Sequence, residues 1–251
     1  MKTWKDKIHF VLVEPKESGN IGASARAMKN MGFKNLCLVN PPPVITDEAQ
    51  RFAHNSLDVL EGAKVYNSLA DALEDKTLVV GVARRAGKRR GLSLPLDKGV
   101  EKLCDALPEN KIALLFGRED RGLYNDEVGE CGLLLTIPAN KAHPSLNLSH
   151  AVMVVAYELS KLHCSEEGLG AAQGKTRKRE RLIGHGELTF LFERIAETLI
   201  LLDYLPRGDR DIQRQIMENL KHFVGRSGIT DWELKMLHGI CSQIDRKLGK
   251  E

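Results

Sequence analysis

No stretch of this 251-residue chain approaches the roughly 18 consecutive apolar side chains that a membrane-spanning helix requires; 199–202 is among the longest helical apolar runs. The charged start, 1–7, is followed by no signal-peptide pattern, so no membrane partner and a cytoplasmic location are expected. Cys37, Cys104, Cys131, Cys164 and Cys241 are odd in number, widely spaced and free of any C-x-x-C. That excludes zinc ribbons, thioredoxin-like redox motifs and a disulfide scaffold. Aromatic residues make up only 5%, too few for extensive base stacking on a nucleic acid. Also missing are G-x-G-x-x-G, the P-loop G-x-x-x-x-G-K-[ST], H-E-x-x-H and G-x-S-x-G, which removes dinucleotide, P-loop, zincin and serine-hydrolase readings. The eight histidines are scattered, so no metal site is expected.

What is present is an ordinary globular mix, 42% hydrophobic and 28% charged, which rules out global disorder. Apolar runs at 8–13, 35–40, 64–66, 77–82, 112–116 and 132–137 read as strands. Helical spacing falls between them at 20–31, 56–61, 69–74 and 97–106, with a long helix over 146–162. This alternation predicts an α/β fold with a parallel sheet, and the nearly continuous apolar strands predict helices on both faces. The stretch 166–186 turns Gly-, Lys- and Arg-rich, as a solvated linker does. Beyond it, amphipathic helices are predicted near 188–202, 209–223 and 231–248, the last capped by Thr230 or Asp231. The expected organisation is therefore a core domain over 1–165, a basic linker over 166–186 and a small all-α domain over 187–251. No internal repeat is evident.

Three segments place glycines and polar side chains just where strands end: S-G-N-I-G-A-S-A-R-A-M-K-N-M-G-F at 18–33, L-F-G-R-E-D-R-G-L at 115–123, and I-P-A-N-K-A-H-P-S-L-N-L-S-H-A-V at 137–152. Ligands of open α/β sheets bind outside the carboxyl ends of strands, so the three belong to one rim. Together, and in this order, they resemble the three motifs of the SpoU/TrmH group of SPOUT RNA 2′-O-ribose methyltransferases over about 8–162. The tail, with W-E-L-K-M-L-H-G-I-C-S-Q-I-D at 232–245, resembles the C-terminal extension of the TrmJ branch, which methylates the ribose of cytidine or uridine at tRNA position 32.

The resemblance implies features that periodicity does not suggest: a deep trefoil knot, S-adenosylmethionine held by the knotted loops, and a homodimer whose active site draws on both subunits. Carried over residue by residue, Val82, Ala83, Arg84, Phe116, Gly117, Arg118, Ile137 and Leu146 would hold the cofactor, largely through backbone groups. Arg26 matches the catalytic arginine; a guanidinium stays protonated at physiological pH, so anchoring a phosphate and stabilising an alkoxide suit it better than acting as a base. Glu119 is expected beside Arg26 as a bidentate partner. Asn20 is expected to cap the first helix and face the site, Ser145 to cap the long helix or bind the ribose, and Asn147 to bind the ribose or knot backbone. Phosphate contacts with tRNA are expected from the basic runs Arg84, Arg85, Lys88, Arg89 and Arg90, and Lys175, Arg177, Lys178, Arg179 and Arg181. Two alternatives stay open: methylation of another tRNA position or of ribosomal RNA, and a catalytically silent RNA-binding module.

Overall fold

The computed structural model describes residues 3–84, 92–107, 109–140, 142, 144–161, 181–205 and 210–248. After a 3-10 turn at Trp4–Lys7, the core runs β1 (Ile8–Val13), α1 (Ser18–Asn30), β2 (Asn35–Val39), α2 (Asp47–Ala53), α3 (Leu57–Glu61), β3 (Lys64–Tyr66), α4 (Leu69–Leu73) and β4 (Leu78–Val82). It continues with β5 (Ser93–Pro95), α5 (Leu96–Ala106), β6 (Ile112–Phe116), α6 (Asn125–Gly129), β7 (Leu133–Thr136) and α7 (Leu148–Ser160). Helices α8 (His185–Leu201), α9 (Arg210–Gly225) and α10 (Asp231–Lys247) follow.

All pairings in the seven-stranded sheet are parallel, in the order β3-β2-β1-β6-β4-β7-β5. Alternation within the strands assigns their side chains to two cores. Phe10, Leu12, Leu36, Leu38, Val80, Leu114, Phe116 and Leu135 pack under α1, α5 and α7. Val11, Val13, Cys37, Val39, Val79, Ala113, Leu115 and Leu134 pack on the other face, with Ala72 and Leu73 of α4 and Val128 of α6. This is why the central strands read as unbroken apolar runs rather than as alternating ones. Register then aligns the strand ends: Leu12 and Val82 both stand opposite Phe116, and Val82 also opposite Leu135. The loops after β1, β4, β6 and β7 consequently open onto one rim.

Three elements, α2, β5 and the five-residue α6, were not anticipated. Helix α2 is short, but Thr46 Oγ1 caps it by accepting from Ala49 N at 3.1 Å, and Gly22 of α1 lies so close that a Cβ there would sit 2.0 Å from the Ala49 carbonyl oxygen. Strand β5 has only three residues and completes the sheet edge beside β7.

At the opposite rim, α8–α10 enclose an apolar cluster of their own, with Leu191 and Leu188 at its centre. Its attachment begins before the expected linker ends: Leu182 N donates to Asn110 Oδ1 at 3.0 Å, His185 N to the Lys76 carbonyl at 2.7 Å and Gly186 N to that of Glu74 at 3.2 Å. Gly132 and Gly225 touch backbone to backbone, with no room for a Cβ on Gly132. These contacts lie at the amino ends of β4, β6 and β7.

Candidate active site

The carboxyl ends of β4, β6 and β7 enclose a cavity of about 460 Å³. Its walls are Val82, Ala83 and Arg84 after β4, 116–123 after β6, and Ile137, Pro144, Ser145 and Leu146 after β7, closed by Leu148 and Ala151 of α7. All eight residues assigned to the cofactor border this one space, and so do Glu119 and Ser145. The cavity lies near the point where strand order reverses between β1 and β4, where ligands of open α/β sheets characteristically bind.

Beside the cavity, one hydrogen-bonded chain joins the three motifs. Glu119 Oε2 accepts from Lys16 N at 3.0 Å, and its Oε1 from Glu17 N at 3.4 Å and from Asn20 Nδ2 at 2.9 Å. A carboxylate thus sits at the positive end of α1, where the helix dipole favours it. Asn20 Oδ1 in turn accepts from Asn147 Nδ2 at 2.9 Å, and Asn147 Oδ1 accepts from Ser149 N at 2.9 Å and Ser149 Oγ at 2.7 Å. An ionised carboxylate can only accept, so Glu119 fixes the orientation of the Asn20 amide, and Asn20 then fixes that of Asn147.

Several expectations are corrected here. Asn20 lies inside the first turn of α1, whose N-cap is Glu17, so its side chain bridges loops instead of capping. The N-cap of α7 is Asn147, not Ser145; the Ser145 side chain is exposed at the cavity wall. The bidentate Arg26–Glu119 pair is not formed within the chain, because Glu119 is already occupied by the first turn of α1. Arg26 lies six residues beyond Asn20, about 9 Å further along the helix axis. It is exposed and has no ion pair among the described residues. Arg118 borders the cavity, but its guanidinium is committed to Glu127 and Glu14 and is not free for a ligand. Sequence reasoning gave no role to Glu14 or Glu127; for Glu127 the local signal was its place three residues after Tyr124, the N-cap of α6.

Arg84 stands exposed at the cavity edge. Arg181 is exposed beside Leu182, at the far rim of the sheet. Arg85, Lys88, Arg89, Arg90, Lys175, Arg177, Lys178 and Arg179 lie outside the described residues. Among the described residues, no group of three or more His, Cys, Asp or Glu is arranged to hold a metal ion, and no helix is long and apolar enough to cross a membrane.

Residues 7–157 match the model of the SpoU rRNA methylase family. The tRNA (cytidine/uridine/adenosine-2′-O-)-methyltransferase TrmJ of Pseudomonas aeruginosa is 33% identical over 252 residues, covering 96% of this chain and 95% of that protein. The tRNA (cytidine-2′-O-)-methyltransferase TrmJ of Methanocaldococcus jannaschii is 32% identical over 230 residues, 90% of this chain and 96% of the relative. The crystal structure of TrmJ from Z. mobilis ZM4 aligns with a TM-score of 0.78 at 27% identity, covering 94% of this chain and 98% of that one. Since the likeness extends through the sheet, the motif-bearing rim and the helical tail alike, the chain belongs to the SpoU methylase family of the SPOUT superfamily, in its TrmJ branch.

Proposed function

We propose that the protein transfers a methyl group from S-adenosylmethionine to the 2′-hydroxyl of a tRNA ribose, at position 32 of the anticodon loop, on cytidine or uridine. The observation that carries this reading is the Glu119–Asn20–Asn147 chain, which ties all three motifs to the rim of one cavity. The cavity suits the cofactor: about 460 Å³ lies within the usual range for ligand pockets, with apolar Val82, Ile137 and Leu146 beside the polar 117–122 loop. When bound, the cofactor supplies an electrophilic sulfonium methyl.

The protein's task is then to hold the ribose oxygen in line and raise its nucleophilicity. Positioning of this kind contributes about 7–11 kcal/mol to rate acceleration. Ser145, exposed at the cavity wall, and Asn147, beside it in the same motif, are assigned to orienting the ribose. Arg26 binds the substrate phosphate and stabilises the developing alkoxide. Because Arg26 lies away from its own chain's cavity, the reading includes a homodimer in which Arg26 of the partner subunit completes each site. The exposed Val154 and Tyr157 of α7 lie on a surface that such a dimer would cover. The deep trefoil knot, the division into a core over 1–165, a basic connector over 166–186 and a helical unit over 187–251, and action in the cytoplasm belong to the same reading.

The test is transfer of labelled methyl into bulk tRNA and ribosomal RNA, followed by ribose-methylation mapping. Label at tRNA position 32 is expected. Label elsewhere or in ribosomal RNA supports the first alternative, and RNA binding without label the silent module. Arg26→Ala should lower turnover about 100-fold or more while S-adenosylhomocysteine still binds. Unchanged turnover removes Arg26 from the mechanism.

A further inference from the structure

We infer that Arg118 is a positioning residue that shapes the 117–122 loop from behind, and through it sets Glu119 and the binding of the methyl donor. The inference rests on the methyltransferase reading above and assigns Arg118 a role other than ligand contact.

The side chain of Arg118 is only 4% exposed. Its Nη1 and Nη2 donate to Glu127 Oε2 and Oε1 at 3.0 and 2.9 Å, and its Nε donates to Glu14 Oε2 at 2.9 Å. The guanidinium also stacks on Tyr124, 3.9 Å from the ring centroid. Glu127 is itself fixed by Tyr124 N, which donates to Oε2 at 2.7 Å. One planar cation therefore ties the loop after β6 to the end of β1 and to the start of α6. A buried guanidinium deprived of its carboxylates is strongly unfavourable, so the loop cannot pivot without breaking the whole arrangement.

The loop needs such an anchor. It closes on itself through Arg118 N donating to the Gly122 carbonyl at 3.1 Å and Gly122 N to that of Arg118 at 2.8 Å. Gly122 has φ +68°, and a Cβ on Gly117 would lie 2.0 Å from the Gly122 carbonyl carbon. The turn is thus compact within itself and must be held from outside. Glu119 holds it on the α1 side and Arg118 on the α6 side. The remaining tie, Lys16 Nζ to Asp120 Oδ2 at 2.6 Å, is about half-exposed at both ends and adds little. Glu14 supports the same conclusion: a non-glycine residue at φ +46° persists only where its surroundings over-determine it, and Arg118 is its ion-pair partner. Lysine cannot replace this fork, because one ammonium does not span both oxygens of Glu127 and reach Glu14.

The experiment measures S-adenosylhomocysteine affinity by calorimetry at 25 °C on the full chain, together with steady-state constants for the methyl donor. Arg118→Lys should weaken binding tenfold or more and raise the donor KM by a similar factor, with kcat at saturating donor falling less than KM rises. Amides of 117–122 should exchange faster in the ligand-free variant. A folded Arg118→Lys protein that binds within twofold of wild type overturns the inference. Should that variant fail to fold, Glu14→Gln decides, since Glu14 is half-exposed: threefold weaker binding is expected, and unchanged binding overturns the inference. If wild type itself does not bind S-adenosylhomocysteine, the methyltransferase reading falls instead.

Discussion

Asn20 and Asn147 are 127 residues apart, yet their amides meet at 2.9 Å. Both were recognisable as motif residues, but capping was the wrong role for Asn20: it is the carboxylate of Glu119, brought in by the sheet, that turns the amide toward the cavity rim. His9 presents the reverse case. It sits in β1 with Nε2 unpartnered among the described residues, and burial, with Lys76 adding to it, depresses its pKa to about 4. An unfolded histidine titrates near 6.5, so below that pH the unfolded chain binds the extra proton and the native state does not. Stability should be intact above about pH 6.5 and decline as pH falls toward 4. His9→Leu should raise the melting temperature, and by more at pH 4.5 than at pH 7; equal gains at both would refute this account.

Elements with uninterrupted periodicity were legible nearly to the residue. The sequence reading of 112–116 coincides with β6, and α10 begins after the predicted Thr230 cap. Helix α2 carried a capping signal in Thr46, but three prolines precede it and its seven residues rely on α1 for burial. That dependence makes Gly22 the sensitive position. Alanine there should gain up to about 1 kcal/mol in helix propensity. Against this, its Cβ would lie 2.0 Å from the Ala49 carbonyl oxygen, and forcing packed elements apart costs about 1–3 kcal/mol or more. The clash should win. Urea denaturation of Gly22→Ala should show a net loss of stability, whereas a gain would mean that α1 and α2 are not pressed together.

Across the whole molecule, the helical tail is fastened at the rim opposite the cavity. Glu130 takes His185 Nε2 at 2.9 Å and Lys221 Nζ at 2.8 Å, and the His222 ring pairs with the Cys131 carbonyl at 3.1 Å. Burial alone would raise the Glu130 pKa, but the hydrogen bonds from His185 and Lys221 outweigh it and hold the carboxyl at about 2. A carboxylate lowered on folding stabilises fully above its unfolded value near 4.5, and that contribution is lost as pH drops through about 2. Glu130→Gln should therefore lower the melting temperature most near pH 6, with the gap to wild type closing toward pH 2. It should also speed amide exchange in α8 and α9 more than in the sheet. A constant gap across pH would show that the carboxylate does not clamp the tail.

The sequence by itself determined the layered α/β character, the parallel strands, the three motif loops and their common rim, because strand and helix periods and glycine-bearing strand ends are local properties of the chain. Only the tertiary structure decided which partners those residues take. Sheet register brought Glu119 to the start of α1 instead of to Arg26, committed Arg118 to two carboxylates, and placed the helical tail at the amino ends of the strands. Such pairings depend on distances through space between residues far apart in sequence, which no local pattern encodes.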